Sequence, residues 1–320
     1  MKTVCAVWLL LLSFLPGGVA EDTWQMLEST HFQIYHHPHE PLTQEIADIA
    51  EDFYGRMGPL IENTDIGGKI EIWVCDTEAQ FQAAVHAPIQ DWAVGCAFPL
   101  SRRIIIQNPR VIIDRKFQLA QVLRHEIVHV LFGQRTKGTI GHIPLWFVEG
   151  VAIYLSGEWA PYRQEVLFKY ILSGSIIPLA ELTAQFPKAE APAQLAYAES
   201  LNAVAWLAEI AGIEKLWEVI DLLGTGNDLD AAFKVAVGWD LATFDMEWQA
   251  SLSKRYHWFA IFSSSYLFWG SLALVFVLFY LRSRQWRRRK LAELAQAESE
   301  TDPFFADQFD IATETRRKGG

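Results

Sequence analysis

The chain has 320 residues, 51% of them hydrophobic, and a formal net charge of −11. That length allows one substantial core with appendages. The acidic balance argues against a nucleic-acid binder, which needs a basic face for phosphates, and no repeat, Walker-type or dinucleotide-binding glycine pattern occurs to support nucleotide chemistry.

The chain opens with Lys2, an apolar run from Val4 to Leu15 and the small residues Gly18-Val19-Ala20. This pattern predicts a secretory signal peptide over 1–20, cleaved before Glu21. Cys5 lies inside the apolar run, away from any cleavage site, so a lipoprotein is not indicated. His31 to His36 alternates like a strand, and Thr43 to Ile61 reads as an amphipathic helix with Ile46, Ile49, Ala50, Phe53, Met57 and Leu60 on one side. After the Gly67-Gly68 turn, Lys69 to Cys75 is a strand and Thr77 to His86 a short helix. Val94 to Phe98 and Arg103 to Gln107 are strands joined by a tight turn. His31, His36, His37 and His39 fit no standard ligand spacing, and a strand with polar neighbours accounts for them. His86 and His142 are read as structural, although His142 lies just before the next motif helix. Cys75 and Cys96 can form a disulfide in an oxidising compartment or remain two separate buried thiols.

A small mixed sheet therefore precedes a helix predicted from Phe117 to Phe132, with Gly133 as its C-cap. The helix carries His125-Glu126-Ile127-Val128-His129. Residues four apart share a helix face, so His125 and His129 can hold one zinc ion between them. Glu126 is rotated about 100° from His125 at helical pitch, beside the metal and not on it, where it can take a proton from water. Downstream, Pro144 suits the start of a second helix. In it Glu149 stands among apolar residues, where a carboxylate is costly to bury unless paired or bound to metal. Glu149 is thus the expected third ligand.

His-Glu-x-x-His followed by Trp146-x-x-Glu149-Gly150-x-Ala152-x-Tyr154 resembles the gluzincin metallopeptidases, in particular the bacterial peptidase MA-like family, over roughly residues 30–210. The resemblance implies one zinc ion on His125, His129 and Glu149, with Glu126 as general base. It also implies an edge strand before the metal helix that pairs with extended substrate, for which Val94–Ala97 and Arg103–Gln107 are the alternatives. By the same analogy Tyr197 donates a hydrogen bond to the oxyanion, against a packed Tyr as the alternative, and Glu199 is a weaker outer partner. One departure stands out. Thermolysin-type members carry Asn-Glu-x-x-x-Asp in the second segment, and Val148 and Ile153 occupy those flanking positions here. The carboxylate that orients a ligand histidine must come from elsewhere.

The rest of the extracytoplasmic domain, 21–257, reads as helical: Tyr162 to Ser173, Gln194 to Ala211, Ile213 to Leu223, Leu229 to Val237 and Leu241 to Tyr256. No charge interrupts Trp258 to Leu281, a length that crosses a bilayer, and Arg282, Arg284, Arg287, Arg288, Arg289 and Lys290 follow. The positive-inside rule puts that end in the cytoplasm. The tail 282–320 is basic, then acidic, and expected to be disordered or a frayed helix. The expected fold is thus α+β, with a small mixed sheet, an active-site helix, an all-helical subdomain and one C-terminal transmembrane helix. The expected function is that of a single-pass membrane zinc metallopeptidase acting on a peptide or protein substrate. A membrane-anchored binding or assembly protein with a structural zinc site, and a zinc amidase acting on non-peptide amides, are the alternatives.

Overall fold

The computed structural model describes residues 24–38, 42–61, 68–86, 93–108, 119–158, 161–263 and 265–317. The predicted signal peptide, His39 and the first two residues of the predicted metal helix, Phe117 and Gln118, lie outside them. The chain divides into two compact units, Met1–Lys254 and Arg255–Gly320.

In the first unit, five strands form a sheet among the described residues: β1 (Gln25–Glu28), β2 (Phe32–His36), β3 (Ile70–Cys75), β4 (Gly95–Phe98) and β5 (Arg103–Gln107), in the order β1-β2-β3-β5-β4. β2, β3 and β5 run parallel, and β1 and β4 flank them antiparallel. The sheet is mixed, as expected; β1 is an additional strand. Parallel neighbours need crossover connections. Helix α1 (Thr43–Ile61) connects β2 to β3, and α2 (Glu78–Val85) lies between β3 and β4. Alternation along the strands sorts the side chains. Phe32, Ile34, Ile70, Ile72, Val74, Ile104 and Ile106 are buried on one face. Cys75 and Ile105 meet Phe81 and Val85 of α2 on the other. Helix α3 (Leu119–Arg135) packs on α1 and runs against β4 and β5.

One sequence expectation changes here, and one open alternative is decided. Gly133 does not cap α3, which continues to Arg135. Gly133 is fully inside the packing, where a Cβ would run into the side chain of Pro99; its missing side chain serves a close approach and not a turn. Cys75 and Cys96 are not joined by a disulfide. Cys75 is in register with Gln107, and Cys96 with Ile105, so β5 stands between them. Two strand spacings amount to roughly 9–10 Å, beyond the ~7 Å that a disulfide spans.

After α3 the unit is helical: α4 (Leu145–Ser156), α5 (Pro161–Ser173), α6 (Glu190–Ala211), α7 (Ile213–Gly224), α8 (Leu229–Ala236) and, as far as Lys254, α9 (Leu241–Ser263). Its core is aromatic. Phe147 meets Phe132 of α3 and Phe233 of α8, while Trp146 and Trp206 pack on Phe244. The α4–α6 contact is especially close. At Gly150 an added Cβ would strike the Ser200 carbonyl and lie 2.7 Å from Val204 Cγ2. This contact fixes α4 against α6.

In the second unit, α10 runs from Ser265 to Arg317. The tail, expected to be disordered or frayed, continues as helix to Arg317; Arg, Lys, Ala, Glu and Gln between 287 and 298 are strong helix formers. Among the described residues no helix is long and apolar enough to cross a membrane. The side chains described from the predicted span 258–281 begin at Trp269. From there to Leu281 is about 20 Å of helix at ~1.5 Å per residue, short of the ~30 Å hydrocarbon core.

Candidate metal centre

Helical pitch brings His125 and His129 together on α3, with ring centroids 4.6 Å apart and planes nearly perpendicular. Their Nε2 atoms are 3.0 Å apart. Glu149, on the second turn of α4, aims both carboxylate oxygens at the same place: Oε2 is 3.4 Å from His125 Nε2 and Oε1 is 3.7 Å from His129 Nε2. One ligand atom from each residue lies within 4.8 Å of the others, and this is the group of three that can hold a metal among the described residues. The N-terminal histidines form no such group. His31 Nδ1 pairs with Glu51 at 2.6 Å, His36 Nδ1 meets the His37 carbonyl, and His86 and His142 are exposed.

The donor set fits a metal on chemical grounds. Two imidazoles and a carboxylate converge where each side chain is only 13–16% exposed, and unpaired charge in such a place is costly. Burial works against a charged His125, but the carboxylates of Glu149 and Glu158 close to its two nitrogens, with Glu126 nearby, outweigh that and push its pKa up to about 10. Burial would raise Glu149, yet the two imidazoles hold it well below the usual carboxylate range. Glu126 is buried, and burial raises it despite the neighbouring imidazoles.

Glu126 lies against β4. A Cβ on Gly95 would come within 2.7 Å of its Oε1, so the bare backbone there makes room for the carboxylate. β4 is an edge strand of the described sheet and β5 is internal. Of the two strands suggested for substrate pairing, β4 has the edge position, and it is the one beside Glu126.

A residue that the sequence reading missed also faces the site. Glu158 Oε2 is 3.5 Å from His125 Nδ1, and its Oε1 accepts a hydrogen bond from Arg163 at 2.6 Å. Glu158 and Arg163 are both buried. The signal for it was faint: a Glu directly after Gly157, with an Arg five positions on. Tyr197 packs edge-on against Phe186, and the Arg163 guanidinium lies 5.6 Å over its ring. The hydrogen bond of Glu199 goes to a backbone N–H and not to a histidine. Glu199 is fully buried and accepts the Ile177 N–H at 3.0 Å.

Fold and site together define a mixed α+β protein in which one helix supplies a histidine pair and the next supplies a carboxylate, a peptidase-like arrangement. The chain belongs to the Peptidase MA superfamily, whose family model matches residues 61–254. The match begins at the end of α1 and extends through the helical half, further toward the C-terminus than the motif resemblance. No curated protein matches the chain significantly.

Proposed function

We propose that this chain is a zinc-dependent peptidase of the gluzincin type, acting on a peptide or protein substrate and held to a membrane near its C-terminus. The observation that carries the reading is the convergence of His125 Nε2, His129 Nε2 and the Glu149 carboxylate, with buried Glu126 on the same helix. His125, His129 and Glu149 would hold one zinc ion. When bound, zinc polarises a carbonyl and lowers the pKa of water toward about 7. Glu126 takes the proton of the attacking water and passes it to the leaving amine. β4 aligns an extended substrate backbone by hydrogen bonding, and Gly95 keeps Glu126 within reach of it. A purely structural zinc site closes its fourth position with a protein ligand, and the metal-capable group numbers three among the described residues. That favours the hydrolase over the binding-protein alternative.

Metal content and peptide hydrolysis of wild type and Glu126→Gln test this. Both should carry stoichiometric zinc, and the variant should lose at least ~10²-fold in turnover; undiminished hydrolysis would overturn the role of Glu126. His129→Ala should lose the metal, and full zinc content in that variant would overturn its role as ligand.

The membrane part of the proposal puts 21–257 outside the cytoplasm, 258–281 in the bilayer and the basic cluster at the cytoplasmic face. In support, α10 exposes Trp269, Leu274, Val275, Phe276, Leu278 and Phe279 around its circumference, a surface suited to lipid. Carbonate extraction of membranes checks it: the chain should stay in the pellet, and release into the supernatant would overturn the anchoring.

A further inference from the structure

The turn after α4 brings a carboxylate to the metal centre from outside both ligand segments. Gly157 adopts φ +70°. Its N–H bonds to the Tyr154 carbonyl at 3.3 Å, and the Glu158 N–H bonds to the Ile153 carbonyl at 3.2 Å. This pair of bonds is a Schellman ending, which reverses the chain at the helix terminus. The reversal leaves Glu158 buried beside α3, with Oε2 3.5 Å from His125 Nδ1. That nitrogen is itself buried and has no closer hydrogen-bond partner. On its other side Glu158 is gripped by Arg163 at 2.6 Å, and the guanidinium rests over the Tyr197 ring.

We propose that Glu158 is the positioning residue for His125. Its carboxylate accepts a hydrogen bond from the Nδ1–H and fixes the ring plane, so that Nε2 keeps its lone pair for the point shared with His129 and Glu149. Arg163 holds the carboxylate, and Tyr197 backs the guanidinium with its ring. The inference rests on the metal-centre reading above.

The physics is that of an imidazole with two distinct nitrogens. The bond made by one decides the tautomer, and so the donor power, of the other. In a dry site an Nδ1–H with nothing to meet it would carry a desolvation penalty, and the ring would be free to turn. A carboxylate removes both problems only if it is itself held. Arg163 does this with a planar guanidinium, which also keeps Glu158 from being an unpaired buried charge. The chain of contacts runs from α3 through the α4–α5 turn to α5 and α6. Metal affinity should therefore respond to residues well outside the ligand motifs.

Zinc affinity of the full chain in detergent, measured by chelator competition, tests this in wild type, Glu158→Gln and the double variant Glu158→Gln/Arg163→Gln. The double variant leaves no buried guanidinium unpaired, so it serves if the single variant fails to fold. Loss of such an outer partner weakens metal binding about 10- to 100-fold, and both variants should fall in that range. The His125 Nδ1–H proton resonance should move upfield in either. A folded variant with wild-type zinc affinity and an unmoved resonance would overturn the inference while leaving the metal centre standing. A wild-type chain that binds no stoichiometric zinc would overturn the metal centre itself, and this inference with it.

Discussion

Gly150→Ala sets two known effects against each other, and the structure decides the sign. In a free helix, replacing an interior Gly by Ala stabilises by about 1 kcal/mol. At position 150 the new Cβ would lie 2.7 Å from Val204 Cγ2 and 2.9 Å from the Ser200 carbonyl carbon, with the Ser200 oxygen closer still. Carbon contacts are comfortable at about 3.5–4.0 Å, so α4 and α6 must part by roughly 1 Å. Two of the three clashing atoms are backbone and cannot rotate away. The residues on either side, Val151, Ala152, Ala203 and Val204, are fully buried and offer no slack. Overpacking of this kind costs about 1–3 kcal/mol, so the net expectation is a loss of about 1–2 kcal/mol. Urea unfolding of wild type and variant, with unchanged slope, gives the difference as a shift in midpoint. Gly55→Ala is the control: Gly55 is exposed within α1 and has nothing within 4 Å of an added Cβ, so it should gain up to ~1 kcal/mol. If Gly150→Ala is stabilised like the control, the account of α4–α6 packing is wrong. Because Glu149 is the preceding residue on α4, the destabilised variant should also bind zinc less tightly.

Gly95→Ala should keep its zinc and its melting temperature but lose about 10–100-fold in peptide hydrolysis, since its Cβ intrudes on Glu126 Oε1 and a misplaced catalytic group is costly; unimpaired hydrolysis would show that Glu126 does not need the gap. Burial raises Glu199 to about 8, with Asp245 adding to the shift and the Ile177 N–H opposing it. The folded state thus keeps a proton that the unfolded chain has released, and stability should fall as pH rises from about 4.5 to about 8. Glu199→Gln should flatten that decline and melt higher than wild type at pH 8, whereas an unchanged pH slope would assign it to other groups. Burial and the neighbouring Asp76 push the Cys75 thiol up to about 12, so Cys75 should resist alkylation in the native state at pH 8, and Cys75 and Cys96 should each take up label after non-reducing denaturation; a Cys75–Cys96 disulfide in the mass spectrum would contradict the strand register.

What could be read from the sequence was set by local geometry. His125 and His129 face one way because they are four apart on a helix, and no tertiary information is needed for that. Glu149 was legible because a lone carboxylate in an apolar helix demands a partner. The sheet was legible where strands alternate, and the helices where apolar periodicity holds. Legibility ended where the answer depends on what lies across the packing. Gly133 carries the local signature of a C-cap, yet it is a glycine because Pro99 presses on it. Cys75 and Cys96 lie on strands close in sequence, and only the strand order puts β5 between them. Glu158 was hidden most thoroughly. Ile153, where the thermolysin-type pattern has its acid, is fully buried and apolar. The carboxylate that faces His125 comes instead from beyond a left-handed glycine, a relation that no helical periodicity encodes.

The charge balance of the site links metal binding to the base. The carboxylates acting on His125 are Glu149, Glu158 and Glu126, and Glu158 is met by Arg163. Three carboxylates against one guanidinium leave two negative charges in a place shielded from water, which is expensive unless compensated. Two protons are one way to meet the deficit, and the groups that would take them are visible: His125 and Glu126 are both displaced upward. A divalent cation between the imidazoles and Glu149 is the other way. The two exclude one another at His125, because a protonated imidazole has no lone pair to give a metal. A dication that supplants those protons therefore leaves Glu126 as a carboxylate, the form a general base requires. If zinc binds as proposed, its arrival would therefore also leave Glu126 in the form that the proposed base requires.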